Sequence, residues 1–320
     1  MSEIVINAQN LSKNFYNFDS RLPFIKRFLK RNQITIRAVQ DISFTIKRGS
    51  IVGFIGSNGA GKSTTIKMLT GTLYPSSGKL EVNGEIPFKR SINFRKKISI
   101  VVGNKLQLFQ DVSAMDYFQL IGTLYEVEPA ILQERIQELS NLLNVKDQLY
   151  QQVRTLSLGQ KMKMEFIAAS LTSPEILFLD EPTIGLDIQS KKDIRTFLKK
   201  MNEECHTTII LTSHDMDDIS SVCDELIVID KGKIILQESM DVILSKFSDF
   251  KYLKIKMTLD LVPELCSVKG VVVISQTKSE CILKIPRDFV FETLESINKL
   301  VDIEDFEISN LSLEEIILQN

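Results

Sequence analysis

The chain has 320 residues, 43% hydrophobic and 25% charged, the make-up of a soluble globular protein with room for about two domains. Its 39 Lys and Arg nearly balance 41 Asp and Glu, so no global positive field argues for a nucleic-acid partner, and none is expected. Four cysteines without a CxxC pair and only two histidines leave little for a zinc or redox site, and reduced thiols in the cytoplasm are the expectation. In chain order, the opening MSEIVINAQN lacks the basic-then-apolar order of a signal peptide, and no later stretch reaches the ~18 apolar residues that span a bilayer. Any membrane role is therefore expected to pass through a partner.

From about residue 4 to 230, short apolar strands alternate with helical stretches, which predicts an α/β fold with a mostly parallel sheet covered by helices. Strand candidates are IVGFIG (51–56), ISIVVG (98–103), ILFLD (176–180), TTIILTS (207–213) and ELIVIDKGKII (225–235). Between about 114 and 155, AMDYFQLIGTLYEV and ILQERIQELSNLLNV carry leucines and isoleucines at three- and four-residue spacing, predicting an all-helical insert. After about residue 240 the order reads β-α-β-β-α-β-α: KYLKIKM, DLVPELC, GVVVIS, ECILKI, DFVFETLESINKL, DIEDFEI and LSLEEIILQ. The first six match a small ferredoxin-like α+β domain. Residues 1–238 are expected to form one domain and 239–320 an accessory or regulatory second one.

Gly56-Ser57-Asn58-Gly59-Ala60-Gly61-Lys62-Ser63, followed by Thr64, fits GxxxxGK[ST]. The apolar IVGFI before it and the helical TTIKMLTG behind supply the strand-loop-helix context that a Walker A phosphate loop needs. Glycines 56, 59 and 61 let the backbone curl so that N–H groups point at phosphate oxygens, and the helix start adds its positive dipole end. Lys62 would reach the β- and γ-phosphates, and the Ser63 hydroxyl would ligate Mg²⁺. The competing reading is a plain glycine turn, but a buried lysine is costly without an anion.

ILFLD ends in Asp180, then Glu181 and Pro182. Buried strands of parallel sheets read this way, and their ligands gather beyond the carboxyl end. Asp180 would hold Mg²⁺, directly or through water, as a Walker B aspartate. Glu181 is the candidate general base for the attacking water, a role worth ~10²–10⁴-fold in rate. His214, closing TTIILTSHD, would bond the γ-phosphate and order the water, whereas His206 has no such context. The bland alternative for the acids is a solvent-exposed strand end.

Ser157 and Gly159 in LSLGQ (156–160), ahead of the helical QKMKMEFIAASL, offer a hydroxyl, a bare backbone and a helix N-terminus, the ingredients of an anion site. Ser157 is equally an ordinary N-cap residue. The order GSNGAGKST, LSLGQ, ILFLDEP, IGLD and TSH resembles the nucleotide-binding subunit of an ABC transporter, from residue 4 to about 238. The resemblance implies a P-loop NTPase ABC cassette with an inserted helical subdomain at about 112–170, hydrolysing ATP with Mg. It also implies a homodimer of cassettes paired head to tail, each signature loop closing on ATP held by the other. Ser157, Gly159 and Gln160 would then serve the neighbour's nucleotide, and Asp187, in IGLD, would carry information across the interface. Phe15, in LSKNF, matches the aromatic that stacks on adenine, with Tyr16 as the fallback. The implied partner is a transmembrane permease subunit, reached near residues 104–120, which would hold the chain on the cytoplasmic face of the cell membrane.

Three departures from the family pattern stand out. Leu158 replaces the third-position glycine of LSGGQ. Asn104 stands after ISIVVG where the family places a glutamine that meets the metal and the attacking water, unless a shifted loop gives that place to Gln107; its shorter reach would let a water bridge, at about 0–2 kcal/mol. Finally, RLPFIKRFLKRNQITIR interrupts the start, with Leu22, Phe24, Ile25, Phe28 and Leu29 opposite Arg21, Lys26, Arg27, Lys30 and Arg31. This basic amphipathic segment, 21–37, would lie on lipid headgroups or a membrane partner, or be a solvated loop. Such an insert, with LSLGQ, FLDEPTIGLD and a terminal SLEEIIL, resembles the exporter subset that works with ABC-2 membrane subunits. The alternatives are an importer cassette, or a soluble ABC ATPase of DNA repair or translation. The latter usually carries a second cassette, coiled-coil insertions or zinc clusters, which this sequence lacks.

Overall fold

A computed structural model describes residues 3–18, 33–213, 215–248, 250–257, 271–277, 280–300 and 303–309. Two long strands open the chain. β1 (Ile4–Phe18) pairs antiparallel with β2 (Gln33–Lys47), and β1 also pairs with β4 (Ser77–Val82). Residues Gln33–Arg37, taken above as part of the basic segment, are therefore strand, opposite Asn14–Phe18. The amphipathic residues at 21–31 lie outside the described residues.

β3 (Ile51–Ile55) and β7 (Thr208–Thr212) are buried at every position, and β6 (Ile176–Asp180) at all but its last. Strands that bury both faces need cover on both, and crossover connections supply it. These three run parallel at the centre of a six-stranded sheet. Its full order is β5 (Ile98–Val102), β6, β7, β3, β8 (Glu225–Asp230) and β9 (Lys233–Ser239). The expected single strand at 225–235 is thus two, because Lys231 and Gly232 turn the chain at φ 46° and 80°. Val5, Ile6, Phe44 and Ile46 of the first sheet share one buried cluster with Phe54, Phe178, Ile210 and Ile227 of the second. The Phe44 and Phe54 ring centroids lie 5.9 Å apart.

Helices α1 (Lys62–Leu69) and α2 (Ile92–Lys97) precede the helical region. There α3 (Ala114–Leu124) starts in a capping box in which Ser113 and Asp116 satisfy each other's backbone N–H. Pro129 opens α4 (Pro129–Leu142), where its missing N–H costs nothing. A Cβ on Gly122 would sit 2.2 Å from Leu132 Cδ2, so any larger residue there would have to displace the Leu132 side chain of α4. α5 (Leu158–Ser170), α6 (Ile188–Cys205) and α7 (Met216–Val222) complete this unit.

The chain divides into compact units 1–238 and 239–320. The second begins with α8 (Met240–Ser248) and holds β10 (Phe250–Met257), β11 (Val272–Gln276), β12 (Glu280–Pro286), α9 (Val290–Leu300) and β13 (Ile303–Ser309). Its antiparallel sheet has the order β11-β12-β10-β13, with last strand beside first, the ferredoxin-like pattern. Leu253, Ile255, Leu283, Ile285 and Val290 form its core. The helices expected at DLVPELC and LSLEEIILQ lie outside the described residues. Among the described residues no helix is long and apolar enough to cross a membrane.

Candidate functional site

The phosphate loop leaves β3 at Ile55 and reaches α1 at Lys62. Gly56 and Gly61 take φ 155° and 113°, and a Cβ on them would come within 2.0 Å of Ile229 O and 2.6 Å of Ala38 O. No other residue fits either place. Ser57, Asn58 and Gly59 are exposed, while Ala60 is buried. Lys62 is 7% exposed, and its Nζ donates to Gly56 O at 2.7 Å and Ser57 O at 3.2 Å. An ammonium so desolvated, held by the loop's own carbonyls, is poised to exchange them for phosphate oxygens.

Asp180 ends β6 directly opposite Thr212, the last residue of β7. One carboxylate oxygen, Asp180 Oδ1, accepts from Thr212 Oγ1 at 2.8 Å and from Ser63 Oγ at 3.0 Å. The Glu181 N–H donates to Thr212 through both its hydroxyl, 3.0 Å, and its carbonyl, 3.1 Å. These bonds hold Glu181 at φ 52°, a left-handed geometry that costs a non-glycine residue of order 1–3 kcal/mol. Downstream, Thr183 Oγ1 donates to the buried Asp218, which also pairs with Arg195. Sequence reasoning missed Thr212, although its signal was present: two parallel strands ending at one level place their last residues side by side. A hydroxyl and a carboxylate suit a hard cation of the Mg²⁺ kind that is shared with phosphates. Among the described residues no cluster of His, Cys, Asp or Glu forms a separate metal cage.

Gly103 N–H donates to Asp180 O at 2.9 Å, and a Cβ on Gly103 would lie 1.8 Å from Glu181 O. Asn104, exposed, thus follows a residue packed against the peptide that joins the two acids. Gln107 is engaged elsewhere: its Nε2 donates to Ile100 O at 2.9 Å and its N–H to Glu165 Oε1.

Ser157 caps α5, accepting from Gln160 N–H at 3.2 Å, while Gln160 Oε1 accepts from Ser157 N–H at 2.9 Å. The N-cap reading of Ser157 therefore describes the single chain. Asp187 caps α6, accepting from the Ser190 N–H at 2.9 Å and hydroxyl at 2.7 Å. Those bonds hold its carboxyl below the usual carboxylate range. Gly159 packs against this cap, and a Cβ there would meet Ser190 Oγ at 2.3 Å. Signature and IGLD segment are thus in contact within one chain. Leu158, the departure from the family pattern, is half exposed.

Phe15 is 40% exposed, with Lys13 Nζ 5.3 Å from its ring centroid. Lys13 also donates to Tyr74 O at 2.7 Å. Tyr16, next along the strand, points to the opposite face, so only one of the two can meet a given ligand. His214 lies outside the described residues; beside it, Asp215 N–H donates to Ser213 Oγ at 2.9 Å, and Asp215 pairs with Lys191.

Residues 39–184 match the ABC transporter family. The chain is 32% identical over 216 residues to the ABC transporter ATP-binding protein NatA of Bacillus subtilis (strain 168), covering 68% of this chain and 87% of that one. It is 28% identical over 258 residues to an uncharacterized ABC transporter ATP-binding protein of Methanocaldococcus jannaschii, covering 81% and 92%. Among solved structures it is similar to cbiO1 of Clostridium perfringens, described as part of the ABC transporter complex cbiONQ, with TM-score 0.63, 26% identity, and 76% and 92% of the two chains covered. An ATP-binding cassette solved as a post-hydrolysis dimer with ADP and Pi shares the fold, with TM-score 0.62, 21% identity and coverage of 73% and 98%. The phosphate loop, the strand-end acids and these likenesses converge: the chain belongs to the ABC transporter ATP-binding family, as an ATP-binding and ATP-hydrolysing subunit.

Proposed function

We propose that this chain powers an ABC-2-type exporter: ATP draws two copies together head to tail, a separate permease subunit takes up the motion, and hydrolysis reopens the pair. The observation that carries the chemistry is the convergence of Ser63 and Thr212 on Asp180 Oδ1, with Glu181 one residue further, beyond the carboxyl ends of adjacent parallel strands. The backbone from Gly56 to Thr64, with Lys62, would grip the phosphates, and Phe15 would stack on adenine. Ser63, Asp180 and Asn104 would hold Mg²⁺, which when bound offsets charge on the β- and γ-phosphate oxygens. Glu181 takes a proton from water as the water oxygen bonds to the γ-phosphorus; the bridging P–O bond breaks and its electrons leave on ADP. Asn104 and His214 orient that water.

Ser157, Gly159 and Gln160 would reach the nucleotide of the second copy. The packing of Gly159 on Asp187 and Ser190 would tell the neighbouring site that this wall is in place. Each ATP gains contacts only in the closed pair, so nucleotide favours closure. A cleft of about 230 Å³, lined by Arg90, Arg95, Ile100, Gln107, Tyr117 and Ile121, is the proposed seat of the permease, keeping the chain at the cytoplasmic face of the cell membrane. Export rather than import rests on the resemblance of LSLGQ, FLDEPTIGLD and SLEEIIL to the ABC-2 subset. Residues 239–320 would extend or regulate the pair. The test is Glu181→Gln: ATP binding is retained, turnover falls by about 10²-fold or more, and a dimer accumulates on size-exclusion chromatography with ATP. Wild-type turnover in that variant would remove Glu181 from the base role.

A further inference from the structure

Glu165 is a buried carboxylate that the mechanism above does not use. It is 4% exposed, on α5 eight residues after the capping Ser157, about 12 Å along the helix axis. Its Oε1 accepts two backbone N–H groups, that of Leu108 at 2.8 Å and that of Gln107. Burial pushes the Glu165 carboxyl up from its ordinary range, and the two N–H bonds act against that shift. Burying such a group is costly, and an apolar side chain would fill the space without the cost. The two donors it satisfies belong to the loop that carries Asn104.

That loop is anchored at both ends. Gly103 N–H is bonded to Asp180 O at 2.9 Å, and Gln107 and Leu108 are bonded to Glu165. Between the anchors stand only Asn104, Lys105 and Leu106. Gln107 Nε2 ties the second anchor back to β5 through Ile100 O, and the Leu108 side chain is 3% exposed. Three residues cannot absorb a large shift of either anchor without moving themselves.

We propose that Glu165 is a positioning residue: its carboxylate clamps the 104–108 loop to the signature helix, so that Asn104 is set beside the acids only when that helix is in place. The proposal rests on the reading of Asn104 as a water-orienting residue. A displacement of α5, which begins at the signature, is thereby passed to the water-orienting amide through one side chain.

The test uses the full chain with Glu165→Met, which fills the volume without an acceptor, and Glu165→Gln, which keeps one. In E165M, kcat is expected to fall about tenfold or more while the Kd for ATP stays within twofold, and E165Q is expected to recover kcat to within about threefold of wild type. In an Asn104→Ala background, E165M should lower kcat by less than twofold, because its effect passes through Asn104. A proportional loss of ATP affinity, a full additive loss in the N104A background, or wild-type kcat in E165M would each overturn the proposal. Should E165M not fold, amide hydrogen exchange in Glu165→Ala, which has no acceptor, decides: faster exchange confined to Gln107 and Leu108 supports the clamp, and unchanged protection there refutes it. If N104A alone leaves kcat unchanged, the role given to Asn104 fails, and the exchange measurement judges the clamp by itself.

Discussion

Replacing Gly103 by alanine puts one methyl group against the carbonyl of Glu181, in the peptide that joins Glu181 to Pro182. The new Cβ would lie 1.8 Å from Glu181 O, and real Cβ contacts under 3.0 Å are essentially never seen, so the two segments must part by about 1.2 Å. That movement opens the 2.9 Å bond from Gly103 N–H to Asp180 O; leaving such a buried pair unmade costs about 1–3 kcal/mol. It also carries Asn104 away from the acids, and a misplacement near 1 Å costs on the order of 10²-fold in rate. The phosphate loop is not part of the displaced segment. Gly103→Ala is therefore expected to bind ATP with wild-type affinity, to melt at lower temperature, and to release phosphate about a hundredfold more slowly. Equilibrium ATP binding, a thermal melt and steady-state phosphate release read these three quantities. Turnover within twofold of wild type, with an unchanged melting temperature, would show that the loop is not held against Glu181 as described.

The ion pair between Lys163 on α5 and Asp193 on α6 is 2.5 Å long, with side chains 9% and 10% exposed. Lys163→Met leaves the Asp193 carboxylate with the Gln189 amide as its remaining described partner, which should cost about 3–5 kcal/mol in urea unfolding, while K163M with Asp193→Leu recovers most of it. A K163M chain as stable as wild type would mean that the pair contributes nothing. The depressed Asp187 carboxyl makes a pH prediction of definite sign. Its stabilising contribution is fully present above the unfolded value of about 3.9 and is lost as pH falls through the lower folded value. The difference in melting temperature between wild type and Asp187→Ala should stay flat from pH 8 to about 5 and shrink below about 4; a difference that instead grows on acidification contradicts the cap.

What the sequence by itself determined is the chemistry that neighbouring residues perform together. GSNGAGKST is a phosphate cradle because consecutive backbone groups make it one, and ILFLDEP places two acids at a strand end because a fully apolar run has to be interior. The α/β pattern was legible for the same reason, since a buried strand and an amphipathic helix each write their period locally. Tertiary structure alone decided the rest. Thr212 meets Asp180 across 32 residues of sequence, and Glu165 meets Leu108 across 57, so neither partner is marked by its own neighbours. Gly159 reads as a loop glycine until Ser190, brought from another helix, occupies the space of its missing Cβ. The strand pairing of Gln33–Arg37 with Asn14–Phe18 is likewise not written in either segment alone: cross-strand hydrogen bonds and packing depend on which segment lies alongside.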